Sequence, residues 1–191
     1  MRSRPPGEIV PSAPHILGLV GKPPVSPYPP DVAADTAPAV ELGDLVDAVA
    51  TDRDWANRQA PGIVLRRVEL RGCRLTGAEL AEAKLSDVTF VDCRLDLVGL
   101  RLAQLERVVF RDCRMTECDL YGASLTDVLV DRCELREATF SGARLERVEL
   151  RECNLAAVRG AEALKGVRMP WNDVLANAPL FATTLGVEIV D

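Results

Sequence analysis

From Leu65 to Leu155 every fifth residue is apolar, running Leu65, Leu70, Leu75, Leu80, Leu85, Phe90, Leu95 and onward through Phe110, Met115, Val130 and Phe140. Two places before each sits a second, usually smaller apolar side chain, from Ile63, Val68, Cys73 and Ala78 to Val158. The repeating unit therefore has two inward and three outward positions. A helix cannot keep such a pattern on one side, because five residues turn about 500° and each successive Leu drifts by about 140°. A straight strand fails too, since an odd step puts successive Leu side chains on opposite faces. A chain that turns a corner after each five-residue side keeps every paired position inside, so the spacing predicts a solenoid.

The sides differ from one another, and their identities return after twenty residues. Val68, Val88, Val108, Val128 and Val148 form one column, Ala83, Ala103, Ala123 and Ala143 a second, and Cys73, Cys93, Cys113, Cys133 and Cys153 a third. The recurrence of "FVDCRL" at Phe90 as "FRDCRM" at Phe110 is the same interval. Four sides close one coil, and residues twenty apart lie one above another. Residues 61–160 then make about five coils at a spacing of about 4.8 Å, with Phe90 and Phe110 stacked in one column.

Outside this block the pattern changes. Ten of the thirteen prolines precede Ala39, and "KPPVSPYPP" can hold neither a helix nor a ladder, so residues 1–40 are expected to be an extended or disordered tail. Over 41–60, Leu42, Leu45, Val46 and Val49 have helical spacing and predict a short N-terminal capping helix. After Gly160 the fivefold pattern decays, and a segment that opens near Pro170 and stops at Gly186 predicts a helical cap over 161–191.

Only 4% of the 191 residues are aromatic, so the core must be built mainly from Leu, Val, Ala and Cys. The net charge of −6 is not concentrated in the coils, where 16 basic residues face 17 acidic ones. A basic footprint for nucleic acid is absent, and no direct nucleic-acid contact is expected. The apolar run Ile16–Val20 is too short for a signal-peptide core or a membrane span, which makes the cytoplasm the expected location and free thiols the expected state of the six cysteines. Stacked cysteines would hold their Cβ atoms about 4.8 Å apart, beyond disulfide reach. The column is expected to be packing, with Cys as a small buried hydrophobe.

The reading A/C/V-x-L/F-x-x, as in "AELAEAKLSDVTF" and "CDLYGASLTDVLV", resembles the pentapeptide-repeat family over about residues 61–160. The resemblance implies an all-β solenoid, a right-handed quadrilateral β-helix. This chain departs from the family pattern by using Cys or Val where Ala is commoner, and by mostly lacking Asp or Asn before the central residue, Asp119 and Asn154 excepted. Two further expectations come with the resemblance. Some members mimic duplex DNA, bind DNA gyrase and protect it from quinolones through a strongly negative surface. C-terminal segments sometimes form homodimer contacts, for which Trp171, Phe181 and Leu185 are the candidates here, as cap or dimer residues.

No catalytic residue, cofactor or metal site is expected. The one histidine, His15, leaves no material for most histidine-based triads, and "GLVGKPP" lacks the first glycine of a phosphate loop and has Pro23 where Ser or Thr should stand. The function expected is a non-enzymatic scaffold that binds a protein partner through fixed rows of side chains. Candidate surface residues are the row Arg74, Arg94 and Arg114 beside Asp92 and Asp112, and the outward apolar group Val91, Val109 and Leu129. The column Arg67, Asp87, Arg107, Asp127, Arg147 is expected to be a solvated ladder of weak ion pairs.

Overall fold

The structure is a computed structural model and describes residues 27–29, 42–188 and 190. The Pro-rich tail expected over 1–40 lies outside the described residues, apart from Pro27–Pro29.

The fivefold pattern folds as a parallel β-solenoid. Its longest strands are β1 Leu45–Thr51, β2 Val64–Arg71, β3 Lys84–Val91, β4 Gln104–Arg111 and β5 Ser124–Asp131, followed by the shorter β6 Arg144–Glu146 and β7 Glu149–Arg151. Each pairs in parallel with its equivalent one coil away: Leu65 lies opposite Leu85, Leu85 opposite Leu105, Leu105 opposite Leu125. Each long strand carries two of the four walls. The third and fourth walls are held by single bridges, such as Arg74 to Arg94 and Gly99 to Asp119. The predicted register of twenty is thus observed on every wall.

The interior is a set of like-on-like columns. Leu65, Val68, Leu70, Cys73, Leu75 and Ala78 are all buried, as are their equivalents one and two coils on. Phe90 and Phe110 stack with ring centroids 4.8 Å apart and planes 11° from parallel, so the rings follow the coil spacing. The six cysteines are unbridged. Cys73, Cys93, Cys113, Cys133 and Cys153 run up the third wall as one file, and the Cys113 N–H donates to the Cys133 Sγ at 3.4 Å. Cys118 lies outside that file, fully buried on the fourth wall, where burial pushes its thiol up to about 12 and keeps it protonated.

What bends the chain is a backbone device absent from the hydrophobic pattern. Every fifth residue from Asp47 to Ala157 has φ between 49° and 70°. Five of these corners are glycine, and the rest are residues such as Asp92, Leu97 and Leu102 that adopt the left-handed region at a cost of roughly 1–2 kcal/mol each. The cost is offset by the ladder: the Asp52, Leu97 and Leu102 N–H groups donate to the carbonyls of Arg71, Thr116 and Tyr121 at 2.8, 2.9 and 2.9 Å.

The N-terminal helix expected over 41–60 is not formed. Residues 45–51 are strand β1, which pairs with β2, and the solenoid begins one turn earlier than the 61–160 block. Leu45, Ala50 and Trp55 continue the fivefold frame, and edge-to-edge hydrogen bonds from Trp55 N to Arg74 O at 2.7 Å leave no room for a helix. Trp55 is buried and fills the end of the third-wall column. The inward positions that would extend the Cys73 and Ala78 columns carry Arg53 and Arg58, and charges at such positions discourage end-to-end stacking.

At the other end Gly160 stands where the next central Leu would fall. Its φ is 72°, and a Cβ there would meet the Ser141 backbone N at 2.3 Å, so a larger residue cannot continue the frame. The cap is built first by a 3-10 turn, Ala161–Leu164, with Ala161 and Leu164 buried. Arg168 then bridges to Glu149 across the last coil, the Leu150 N–H donating to its carbonyl at 2.9 Å. The expected C-terminal helix follows as two short ones, α1 Trp171–Ala176 after Pro170 and α2 Ala178–Leu185 ending at Gly186, broken at Asn177. No helix among the described residues is long and apolar enough to cross a membrane.

Candidate interaction surface

Because three positions in five point outward, the surface is a set of columns at coil spacing. The predicted row is present: Arg74, Arg94 and Arg114 lie one above another on the third wall, between Asp54 below and Glu134 above. All three are exposed. Arg74 reaches Asp54 at 3.3 Å and Arg114 reaches Asp96 at 3.5 Å, both long for ion pairs, and Arg94 pairs with no carboxylate among the described residues. Beside Arg114 an open depression of about 320 Å³ is lined by Thr116, Glu134, Arg136 and Asn154.

Asp92 and Asp112 occupy the corner next to this row, both in the left-handed conformation. Asp112 is not available as a bare charge. Arg132, one coil on, grips it with two bonds of 2.7 and 2.8 Å, and this bonding holds its carboxyl below the usual range.

The apolar group divides. Val109 stacks on Leu129 in one column of the second wall, whereas Val91 belongs to the adjacent column and lies opposite Arg111. Val109 points away from the core, between inward Val108 and Phe110, yet it is only 8% exposed. Val91 and Leu129 are half-buried. The outward apolar group is thus partly shielded, most completely at Val109.

The alternating column between the first two walls also departs from the expected weak ladder. Arg67 clasps Asp47 with two nitrogens, Arg107 holds Asp87 at 2.6 and 3.0 Å, and Arg147 holds Asp127 at 2.7 and 2.8 Å. These are bidentate bonds between successive coils, with Asp87 and Asp127 buried. Burial opposes ionisation of Asp87, but the Arg107 guanidinium and a backbone N–H from Tyr28 outweigh it and hold the carboxyl low. In this column acidic and basic groups alternate and neutralise one another in place. This column therefore does not present the unbroken negative row that a duplex-like surface requires.

The C-terminal candidates separate as well. Phe181 is half-buried and packs against the core, while Trp171 is exposed and Leu185 is 79% exposed, and no residue of α1 or α2 is fully buried. Leu175, Val187 and Val190 extend this exposed apolar end. Among the described residues no group of His, Cys, Asp and Glu is placed to hold a metal ion.

A stack of five-residue walls with an unbridged file of inward cysteines and rows of charged side chains outside defines a repeat protein of the β-solenoid class. The model of the pentapeptide repeat region matches residues 63–140 and that of pentapeptide repeats in eight copies matches 130–159, together half of the chain. The chain belongs to the pentapeptide-repeat family. The comparison with curated proteins found no match. Among solved structures it is similar to a pentapeptide repeat protein from the Arabidopsis thaliana thylakoid lumen, at 20% identity and TM-score 0.47, covering 50% of this chain and 68% of that one. It is also similar to full-length QnrB1, a plasmid-mediated fluoroquinolone resistance protein, at 15% identity and TM-score 0.37 over 73% of this chain and 100% of that one. A third is HetL of the cyanobacterium Nostoc, involved in heterocyst differentiation regulation, at 20% identity and TM-score 0.33 over 67% and 73%.

Proposed function

We propose that this chain is a non-enzymatic cytoplasmic scaffold that binds a protein partner through the third wall. The observation that carries this reading is the exposed file Arg74, Arg94, Arg114. Like charges stacked at strand spacing repel one another, and the middle one has no carboxylate partner among the described residues. A partner surface presenting acidic groups at a matching interval relieves that repulsion. Affinity capture from the host cytosol should therefore yield a partner with wild type and with Arg66→Glu, a first-wall control, and lose it with Arg94→Glu. Equal recovery with Arg94→Glu would remove the third wall from the reading.

The exposed apolar residues of α1 and α2 support a second element, pairing of two copies through the C-terminal segment. Surface apolar groups of this extent tend to be occupied. Light scattering on the eluting protein should give twice the chain mass for wild type and the single mass for Leu185→Asp; a monomeric wild type at micromolar concentration refutes the pairing.

A further inference from the structure

The Asp87–Arg107 clasp, at the corner between the first two walls, has a described neighbour. Tyr28, between Pro27 and Pro29, contacts Asp87 of β3 and Arg107 of β4, both far from it in sequence. The Tyr28 N–H donates to Asp87 Oδ1 at 3.2 Å, and the Arg107 guanidinium lies 5.8 Å from the centroid of the Tyr28 ring. Asp87 thus receives three donors, two from Arg107 and one from the backbone of a residue 59 positions earlier. Tyr28 as a whole remains 63% exposed, so it is the amide and the guanidinium contact, not burial, that tie the segment down.

The chemistry of the segment suits the place. A proline on each side of Tyr28 favours an extended backbone that cannot join a ladder, and leaves the Tyr28 N–H as the one backbone donor of the tripeptide. An extended strand of this kind is recognised by a surface that offers one acceptor for the lone N–H and one flat cation for the ring. The Asp87–Arg107 clasp offers both, and holds them fixed because the same two bonds join successive coils.

We propose that the Asp87–Arg107 clasp is a docking site for an extended Pro-Tyr-Pro segment, filled by the chain's own Pro27–Tyr28–Pro29. The rod offers this face to any other protein only when the segment is released. The contact is a property of the single chain and does not depend on the scaffold reading above.

The test is amide hydrogen exchange by NMR on the full-length, isotope-labelled chain. Tyr28 N–H should exchange at least ~10-fold more slowly than the random-coil rate, the expected result for a donor held by a local contact. Tyr28→Phe should keep the protection, because amide and ring are both retained. Arg107→Gln should return the amide at position 28 to the random-coil rate, with the ladder amides of Val88, Val108 and Val128 still protected as the control for folding. Asp87→Ala, which removes the acceptor, should do the same. A random-coil rate at Tyr28 in the folded wild type overturns the proposal, and so does protection that survives in both Arg107→Gln and Asp87→Ala.

Discussion

Leu105→Asp abolishes the cooperative thermal transition. Leu105 is 1% exposed and stacked between Leu85 and Leu125 in the innermost column of the first wall. Truncating a buried leucine costs about 2–5 kcal/mol. Burying a carboxyl without a partner adds roughly 2–7 kcal/mol. Against a total stability of about 5–15 kcal/mol the central coils cannot close. Circular dichroism should show a broad loss of signal with no midpoint, while Glu106→Ala, one position along and outward, should melt within a few degrees of wild type. If Leu105→Asp melts near the wild-type temperature, the assignment of inside and outside is wrong.

The second large effect is at the other limit of the rod. Trp55→Ala should lower stability by about 3–5 kcal/mol, because Trp55 closes the third-wall column beneath Leu75 and is itself almost fully buried. A terminal coil touches only one neighbour, so the loss should be felt unevenly. Hydrogen exchange should show the β1 amides opening first, with Val108 to Phe110 in β4 holding their protection. Uniform loss across all strands would mean that the stack unfolds as one unit and that its ends have no separate stability.

The architecture was legible because the interior is one-dimensional. Once residues twenty apart were known to stack, the valine, alanine and cysteine columns, the Phe90–Phe110 pair and the Arg74–Arg94–Arg114 file followed. The first turn was misread for an identifiable reason. Leu42, Leu45, Val46 and Val49 fit helical spacing, and Arg53 and Arg58 interrupt the inward columns. The signal that favoured strand was Leu45, Ala50, Trp55 and Ala60 in the same fivefold frame as Leu65.

The corners also left a trace that the hydrophobic pattern did not use. From Asp47 to Ala157 the left-handed positions hold no proline, no valine, isoleucine or threonine and no aromatic residue, and are rich in Asp, Gly, Glu and Arg. A fixed φ near −65° rules out proline there, and branching at Cβ makes positive φ costly. The candidate surface was less legible than the core. The repeat fixes which outward residues are neighbours, but the Tyr28 contact with Asp87 comes from sequence outside the repeat. The same holds for the ion pairs: alternation of Arg and Asp was visible, whereas two-pronged clasping depends on the coil-to-coil distance matching a guanidinium fork.

Coils that superimpose wall on wall make the molecule extensible in quanta. Copying or losing twenty consecutive residues within the stack lengthens or shortens it by one storey and leaves every remaining interior neighbour of the same kind, whereas gaining or losing a single amino acid would turn leucines outward and charges inward in every coil beyond it. Reach along the axis is thus a quantity that gene duplication can adjust without redesigning the interior, and a partner that reads side chains at fixed intervals along the rod would see its site moved by whole storeys.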